Sequence, residues 1–233
     1  MLLLLIALLP ALPGLAQTSQ LPRLYIALAG KSGDVAGSSN PVPVPSNERL
    51  SLRVCLEVRT VADAFEQLEV RALNQHPDYF KNRAGPNVTL SVRQITGTSA
   101  VEVPFRLYSS GGGGKDPTVS YVSADIDILE DKAIRQNKLQ QFAEWFLAEA
   151  DPRVASPLLE HPQGLQAVME YFDEGYVSNP QGDYEITARY SPTTQTYWRG
   201  TLVSAPFRIR VIQAGDFFDQ LKKKLRTGVR NPL

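Results

Sequence analysis

The sequence predicts a mainly β protein, an antiparallel β-sandwich that carries an inserted helical pair and a short C-terminal helix. Apolar and polar residues alternate in several short stretches, and this period of two gives a strand one buried and one solvated face. The period changes to three and four near residues 130–175, which is typical of amphipathic helices. Because the strands follow one another and do not alternate with helices, a parallel α/β sheet is disfavoured.

The composition is that of a globular protein with a real core. The chain has 233 residues, of which 43% are hydrophobic and 21% are charged. Lys+Arg and Asp+Glu balance at 24 each, and a general nucleic-acid binder would need a basic excess. The single cysteine, Cys55, cannot form an internal disulfide, so the fold must be held by packing. Cys55 lies on the face of its strand opposite the apolar residues. We expect its side chain to be a small apolar group buried under a second layer of the protein, and a reactive thiol is the alternative.

Residues 1–16 are predicted to be a signal peptide. Leu2–Leu9 is an apolar run of about half the length that spans a bilayer, and Gly14 and Ala16 are small residues placed before a cut that precedes Gln17. A basic segment before the apolar run is missing. The apolar run and the small residues before Gln17 nevertheless predict an exported protein, periplasmic or extracellular. Residues 17–215 would form the sandwich with its insertion, residues 216–233 a basic helix and tail, and no later stretch is apolar enough to span a membrane.

Before the helices, alternation predicts strands at residues 24–29, 50–59, 68–73, 88–95, 101–108 and 119–129. Pro41, Pro43 and Pro45 favour an extended edge strand or a linker, because proline cannot donate to a central ladder. For the same reason Pro104 demotes its strand to an edge or a bulged strand. Gly111–Gly114 lacks the following helix and the Lys-Ser/Thr ending of a phosphate loop, and is expected to be a flexible hairpin loop.

Three helices are predicted after the strands. Leu139, Phe142 and Phe146 mark the first, and a second follows Pro162 and ends near Gly175. In the C-terminal helix one side is apolar and the other is basic, through Lys222, Lys223, Lys224 and Arg226. This helix either adsorbs to an anionic membrane surface or docks on the sandwich with a solvated charged face.

The end of the chain predicts an antiparallel hairpin between the alternating stretches 184–190 and 207–211. Its opening, Gly182-x-Tyr184-x-Ile186, resembles the Gly-x-Tyr-x-Cys segment of immunoglobulin-like domains. The resemblance implies an Ig-like sandwich in which the Tyr184 hydroxyl bonds to the backbone a few residues upstream, with Ile186 at the position of the disulfide cysteine. Two features depart from that family: there is no cysteine pair, and Trp198 falls late in the chain.

No catalytic constellation, zinc-binding spacing or cofactor motif is found in the sequence. The two histidines, His76 and His161, each precede a proline, and no Gly-x-Ser-x-Gly elbow supplies a nucleophile. Asp125 and Asp127 share a strand face, which leaves open calcium binding or an ordinary exposed acidic face. Asn87-Val88-Thr89 is a glycosylation sequon that has meaning only in a eukaryotic secretory pathway.

These observations favour an exported, non-enzymatic module that binds a protein or polysaccharide at the cell envelope. The expected contact surfaces are the edge around Pro104, the helical insertion, and an aromatic patch at the last turn. The alternatives are a hydrolase with its site in the insertion and a peripheral membrane protein that uses the basic helix. The patch comprises Tyr190, Tyr197 and Trp198, and the hydrolase candidates are Glu144, Glu149, Glu160, His161 and Glu170.

Overall fold

The structure, a computed structural model, describes residues 22–29, 40–58, 68, 70–72, 87–113, 118–149, 164–192 and 200–226. The predicted signal peptide, His76, Glu160, His161, Tyr197 and Trp198 lie outside these ranges. The strands are β1 Arg23–Leu28, β2 Val42–Pro45, β3 Leu50–Glu57, β4 Val70–Ala72, β5 Val88–Thr96, β6 Ser99–Glu102, β7 Phe105–Gly113, β8 Val119–Ile128, β9 Gly182–Tyr190, β10 Leu202–Val203 and β11 Phe207–Ile212. The helices are α1 Lys132–Glu149, α2 Gly164–Gly175 and α3 Phe217–Arg226.

The described strands form two sheets that pack face to face. One has four strands in the order β1-β3-β8-β7, and the other has seven, with β2-β11-β9-β5-β4 as its main path and β6 and β10 paired to β5 and β9. The predicted mainly β fold with a helical pair and a C-terminal helix is confirmed. The sequence predicts antiparallel sheets, and two pairings depart from that prediction: β2 with β11 and β4 with β5 are parallel.

Strand alternation places the core as the sequence predicts. Leu50, Leu52 and Val54 of β3 are at most 1% exposed, and so are the alternate residues of β9 from Tyr184 to Tyr190. These side chains meet between the two sheets in one apolar cluster. The prolines of β2 are tolerated because β2 lies at the end of its sheet, where a missing N–H donor breaks no ladder.

The predicted C-terminal hairpin is confirmed, with Phe207 opposite Ile186 and Ile209 opposite Tyr184. The returning strand is interrupted between β10 and β11, at Ser204. There the N–H of Ala188 donates to Ser204 Oγ and the N–H of Ser204 donates to the Ala188 carbonyl, both at 2.9 Å. The serine side chain thus replaces a ladder acceptor where the register shifts.

Pro104 divides the strand predicted at residues 101–108. On one side, the N–H of Val103 donates to Val92 of the seven-stranded sheet at 3.0 Å. On the other side, the Pro104 carbonyl accepts from the N–H of Leu129 at 3.0 Å, in the four-stranded sheet. Because proline cannot continue a ladder as a donor, the chain changes sheets at this point.

The Gly-x-Tyr motif has a local structural cause. The Tyr184 hydroxyl donates a hydrogen bond of 2.8 Å to the Pro180 carbonyl, as the resemblance implied. Gly182 has a φ of +149°, which side chains rarely adopt, and a Cβ on it would lie 3.0 Å from Nε2 of Gln94. Glycine is therefore required where the chain enters β9.

The helices have an aromatic core of their own, separate from that of the sandwich. Phe142 of α1 and Phe172 of α2 meet edge to face at 4.8 Å, and Phe218 of α3 stacks on Phe142 and on Tyr176 at 4.5 Å each. The C-terminal helix therefore docks on the helical pair and not on the sandwich, which corrects one of the two expectations. None of the described helices is both long and apolar enough to cross a bilayer.

Two smaller predictions concern the four-stranded sheet. Cys55 is 6% exposed and lies between Tyr25 and Tyr121, its register partners on the neighbouring strands, so the expected burial of this small side chain is confirmed. Gly111 to Gly113 belong to β7, in which the register shifts between Ser110 and Gly112, so this part of the expected glycine loop is strand.

Asn87, directly before β5 of the seven-stranded sheet, is 5% exposed, and the folded chain leaves its sequon little room for a glycan.

Candidate functional site

A network of charges fastens the helical insertion to the outer face of the four-stranded sheet. Asp173 of α2 accepts from Nη2 of Arg106 on β7 at 2.9 Å and from Nε of Arg135 on α1 at 2.7 Å. Both guanidinium groups also donate to the Asp173 carbonyl, at 3.2 and 3.0 Å. Burial raises the pKa of the Asp173 carboxyl, but the hydrogen bonds from Arg135 and Arg106 outweigh it, so this pKa is lowered.

Asp127 lies deeper in the same network and is 2% exposed. It stands opposite Arg106 in the sheet, and Nε of Arg49 lies 3.5 Å from its Oδ2. Neither carboxylate oxygen has a hydrogen-bond partner of good geometry among the described residues. Burial raises the pKa of Asp127 above its ordinary value, although the charge of Arg49, the Tyr108 hydroxyl and the charges of Arg106 and Arg135 oppose the shift.

Two further side chains hold the segments on either side of the insertion. Glu130 accepts from Nζ of Lys138 at 2.7 Å and from the Tyr176 hydroxyl at 2.8 Å, and burial together with Glu130 raises the pKa of Tyr176 to about 12. Asn179 accepts from the N–H of Ile128 at 2.7 Å and donates to the Glu48 carbonyl at 2.8 Å. The amide group thereby bridges the end of β8 and the start of β3.

Beside this network lies a cleft of about 1000 Å³ between the two helices of the insertion and the start of β7. We call it the α1–α2 cleft. Each helix presents residues at spacings of three and four to it, so one face of each helix forms one wall. Pro104 and Arg106 close a third side. The lining residues of the helices are Lys132, Arg135, Gln136 and Leu139 from α1, and Gln166, Met169, Glu170 and Asp173 from α2.

A smaller cavity of about 460 Å³ lies on the other side of the β8–α1 connection. Lys138, Tyr176 and Phe217 contribute to its wall, and it shares Leu129, Glu130 and Asp131 with the α1–α2 cleft. Asp131 caps α1, since its Oδ1 accepts from the N–H groups of Ala133 and Ile134. The shared acidic side chains of this connection are therefore engaged within the protein.

The residues of the predicted aromatic patch are not found together on a described surface. Tyr190 is 1% exposed and packs in the sandwich core, because it continues the inward alternation of β9 and has strands on both sides. It is not available to a surface ligand, and any patch at this turn would have to form without it. Tyr197 and Trp198 lie outside the described residues.

The basic residues of the C-terminal helix are partly engaged with α1. Nζ of Lys222 and the guanidinium of Arg226 lie 5.2 and 5.6 Å from the ring of Trp145, and Arg226 pairs with Glu149 at 2.8 Å. Lys223 and Lys224 are exposed on the same helix. Since Phe218 and Leu221 are buried in the aromatic core, the apolar side of the helix is already occupied.

The described hydrolase candidates do not converge. Glu144 accepts from Gln140 and Glu149 pairs with Arg226, so Glu170 is the one described hydrolase candidate that lines the α1–α2 cleft. The described residues contain no group of three or more His, Cys, Asp or Glu side chains placed to hold a metal ion. Asp127, half of the suggested calcium pair, instead faces arginine.

The sequence does not single out Arg106, Arg135 or Asp173. Each occupies a polar position of a regular strand or helix pattern, and such positions normally face water. Asp173 lies 67 positions from Arg106 and 38 from Arg135, so nothing local indicates that they meet.

Comparisons with protein-family models, with curated proteins and with solved structures found no match for this chain.

Proposed function

We propose that this chain is an exported, non-enzymatic Ig-like β-sandwich that binds another macromolecule through the α1–α2 cleft. One observation carries the proposal: the cleft joins two of the surfaces that the sequence favours for contact, the edge at Pro104 and the helical insertion. Its volume of about 1000 Å³ would receive only a short segment of a macromolecule, so the partner would also contact the surrounding rim.

The strand order supports the Ig-like assignment. In that family one sheet has the order A-B-E-D and the other contains C, F and G. The order β1-β3-β8-β7 corresponds to the first sheet, and the run β11-β9-β5 corresponds to G, F and C of the second. On this correspondence the helical pair is an insertion between strands E and F, and Tyr184 stands at the start of strand F with its hydroxyl on Pro180.

The engagement of the cleft carboxylates supports recognition over catalysis. Among the described lining residues, Asp173 is held by two arginines, Glu130 by Lys138 and Tyr176, and Asp131 by the amide groups of α1. Glu170, the fourth carboxylate of the lining, accepts a hydrogen bond from Gln166 at an exposed position. A general acid or base must be able to meet a substrate at hydrogen-bond distance. Fold alone does not decide function, and the enzyme alternative would need a site formed with other residues.

Export is part of the proposal and has its own measurement. The apolar run at residues 2–9 and the small residues before Gln17 favour removal of residues 1–16. N-terminal sequencing of the protein recovered outside the cytosol is expected to begin at Gln17. Recovery of uncut protein in the cytosol alone would contradict export and leave the cleft to be tested separately.

Site-specific photo-crosslinking tests the binding surface. A photoreactive residue is placed at Gln136, which is exposed and lines the cleft, and the matched control is placed at Val203, which is 63% exposed on β10. Irradiation of cells is expected to yield discrete crosslinked species from position 136 and none from position 203. Crosslinks of equal yield at the two positions, or none at either, would count against a binding surface at the cleft.

A further inference from the structure

We infer that the smaller cavity, of about 460 Å³, binds a neutral mono- or disaccharide. We call it the junction cavity, because it lies where the sandwich meets the helices. The turn after β2, the β8–α1 connection, the segment before β9 and the segment before α3 all line it. Its volume falls within the roughly 300–1,000 Å³ that is typical of small-molecule sites. This inference goes beyond the proposed function, since it concerns a second site and a different ligand.

The wall of the junction cavity is fixed by the hydrogen bonds of Ser46. Its N–H donates to the Ile212 carbonyl at 3.0 Å, and its carbonyl accepts from the N–H of Asn179 at 2.7 Å. Its Oγ accepts from the N–H of Ala214 at 3.1 Å. One residue therefore ties the segments before β9 and before α3 to the turn after β2. A site whose walls are fixed before the ligand arrives loses less conformational entropy on binding.

Three carboxamide side chains of the lining keep hydrogen-bonding capacity for a ligand. They belong to Asn47, Gln181 and Gln213, and none of these carboxamides bonds to another described residue. The carboxamide of Asn179, in contrast, is used by the fold. A carboxamide has an acceptor oxygen and two N–H donors. Since each sugar hydroxyl both donates and accepts, two adjacent hydroxyls can bond to both ends of one carboxamide.

Phe217 supplies an aromatic surface to the cavity. It is half-buried, and its ring meets the rings of Tyr176 and Phe218 edge to face at 5.4 and 5.3 Å. These contacts fix the orientation of the ring. The face of an aromatic ring is electron-rich and attracts the C–H groups of a sugar. None of the described residues that line the α1–α2 cleft is aromatic, so the cleft lacks this feature.

The charges of the lining favour a neutral ligand. Its carboxylates are those of Glu130, Asp131 and Asp216, and its one cation is Lys138, which pairs with Glu130 at 2.7 Å. Asp131 and Asp216 cap α1 and α3, because each accepts from N–H groups of the helix that follows. The remaining negative charge repels a uronate or a sulfate group, whereas the positive ends of the two helices oppose a cation.

Saturation-transfer difference NMR with the full chain tests the inference on neutral disaccharides of glucose, galactose, mannose and N-acetylglucosamine. At least one of them is expected to give a saturable signal. Digalacturonate is expected to bind at least about tenfold more weakly than the best of them. Gln213→Ala is expected to weaken binding about fivefold, because a donor and an acceptor are lost, and this exposed position should tolerate the change. Phe217→Leu keeps an apolar side chain but removes the ring, and a similar loss is expected.

The matched control is Gln136→Ala, which makes the same change at an exposed position of the α1–α2 cleft and is expected to leave saccharide binding unchanged. No saturable signal from any of the neutral disaccharides, or equal effects of Gln213→Ala and Gln136→Ala, would overturn the inference. Equal or tighter binding of digalacturonate or of a glucosamine disaccharide would also overturn it and assign the cavity to a charged ligand. Because crosslinking from position 136 does not depend on these results, the inference and the proposed function can fail separately.

Discussion

Oδ1 of Asp173 on α2 accepts a hydrogen bond of 2.7 Å from Nε of Arg135 on α1, whose side chain is 10% exposed. The other oxygen of the same carboxylate accepts from Arg106 on β7. This carboxylate therefore links the two helices to each other, beside their aromatic contacts, and links both to β7 of the four-stranded sheet. Asp173 also lies in the wall of the α1–α2 cleft.

Asp173→Asn is expected to lower the free energy of unfolding by about 2 kcal/mol, because charge-assisted hydrogen bonds to two guanidinium groups are lost or weakened. The pKa of Asp173 is lowered in the folded chain. Its contribution is therefore complete above the ordinary pKa of 3.8 and is lost as the pH falls below that value through the folded pKa. Urea denaturation at pH 7 and at pH 3 measures both effects.

Glu149→Gln provides the control for Asp173→Asn. It removes the acidic partner of Arg226 in an ion pair whose side chains are 49% and 64% exposed. Solvent screening makes such a pair weak, so the midpoint of unfolding is expected to change little. Equal destabilisation by the two variants would show that Asp173 has no special role in attaching the insertion.

Replacement of Asp127 is expected to have the opposite effect on stability to replacement of Asp173. The pKa of Asp127 is raised by burial, so the folded chain binds a proton at pH values where the unfolded chain does not. Stability therefore falls as the pH rises from the ordinary value of 3.8 through the raised folded value, and the cost is fully present at higher pH. Asp127→Asn is expected to raise the melting temperature at pH 7 and to have a smaller effect near pH 4, measured by calorimetry.

Asp127→Asn removes the negative charge that faces Arg49. This loss is tolerable because the side chain of Arg49 is 35% exposed and can turn to water. Arg49→Gln is the complementary variant. It leaves the buried carboxylate without this cation and is expected to destabilise the chain at pH 7. A lower melting temperature for Asp127→Asn at pH 7 would contradict the assignment of Asp127 as a buried, poorly compensated charge.

The sequence predicts the strands well because burial and alternation act locally. Tyr184, Ile186 and Ala188 are buried as a period of two requires, and this pattern needs no knowledge of the partner strand. The same rule also places Tyr190 in the core. The aromatic patch proposed at the last turn includes Tyr190 because it flanks that turn, and the burial of Tyr190 contradicts this part of the proposal. Pairing with Val88 and Leu202 on its two sides keeps Tyr190 within the sheet.

The site is not predictable in this way because its contacts are distant in the chain. A polar position at residue 106 or 173 satisfies the pattern equally well when it faces water and when it forms a buried ion pair. In the same way, the apolar stripe of α3 is equally suited to a membrane, to the sandwich and to the helical pair. Only the packed positions of Phe142 and Tyr176 select the helical pair. Pro104 indicates an interruption, but not the change of sheet that it causes.

The corner at Tyr184 supplies a third prediction. Tyr184→Phe removes the donor to the Pro180 carbonyl and keeps the ring in the core, so the loss is expected to be about 1 kcal/mol of stability. Tyr171→Phe is the matched control, since Tyr171 is 65% exposed and its hydroxyl can meet water. Chemical denaturation measures both. No difference between the two variants would show that the hydrogen bond to Pro180 contributes nothing.

The docking of α3 supplies the last prediction. The ring of Phe218 stacks at 4.5 Å on both Phe142 and Tyr176, and its side chain is 5% exposed. Phe218→Ala removes these contacts and leaves a cavity, at an expected cost of about 3 kcal/mol. The variant is also expected to bind more of a dye that reports exposed apolar surface. Lys224→Ala on the same helix is the control, because an exposed position should change stability by less than about 0.5 kcal/mol.

The Phe218 experiment also separates the two interpretations of the basic helix. A helix that lies on the membrane would use Phe218 for lipid contact, so Phe218→Ala would then reduce sedimentation with anionic vesicles and leave stability in solution unchanged. A helix docked on α1 gives the reverse result, because the ring is already buried among protein side chains before any vesicle is added. Since Phe218 packs against Phe142 of α1 and Tyr176, we expect the loss of stability.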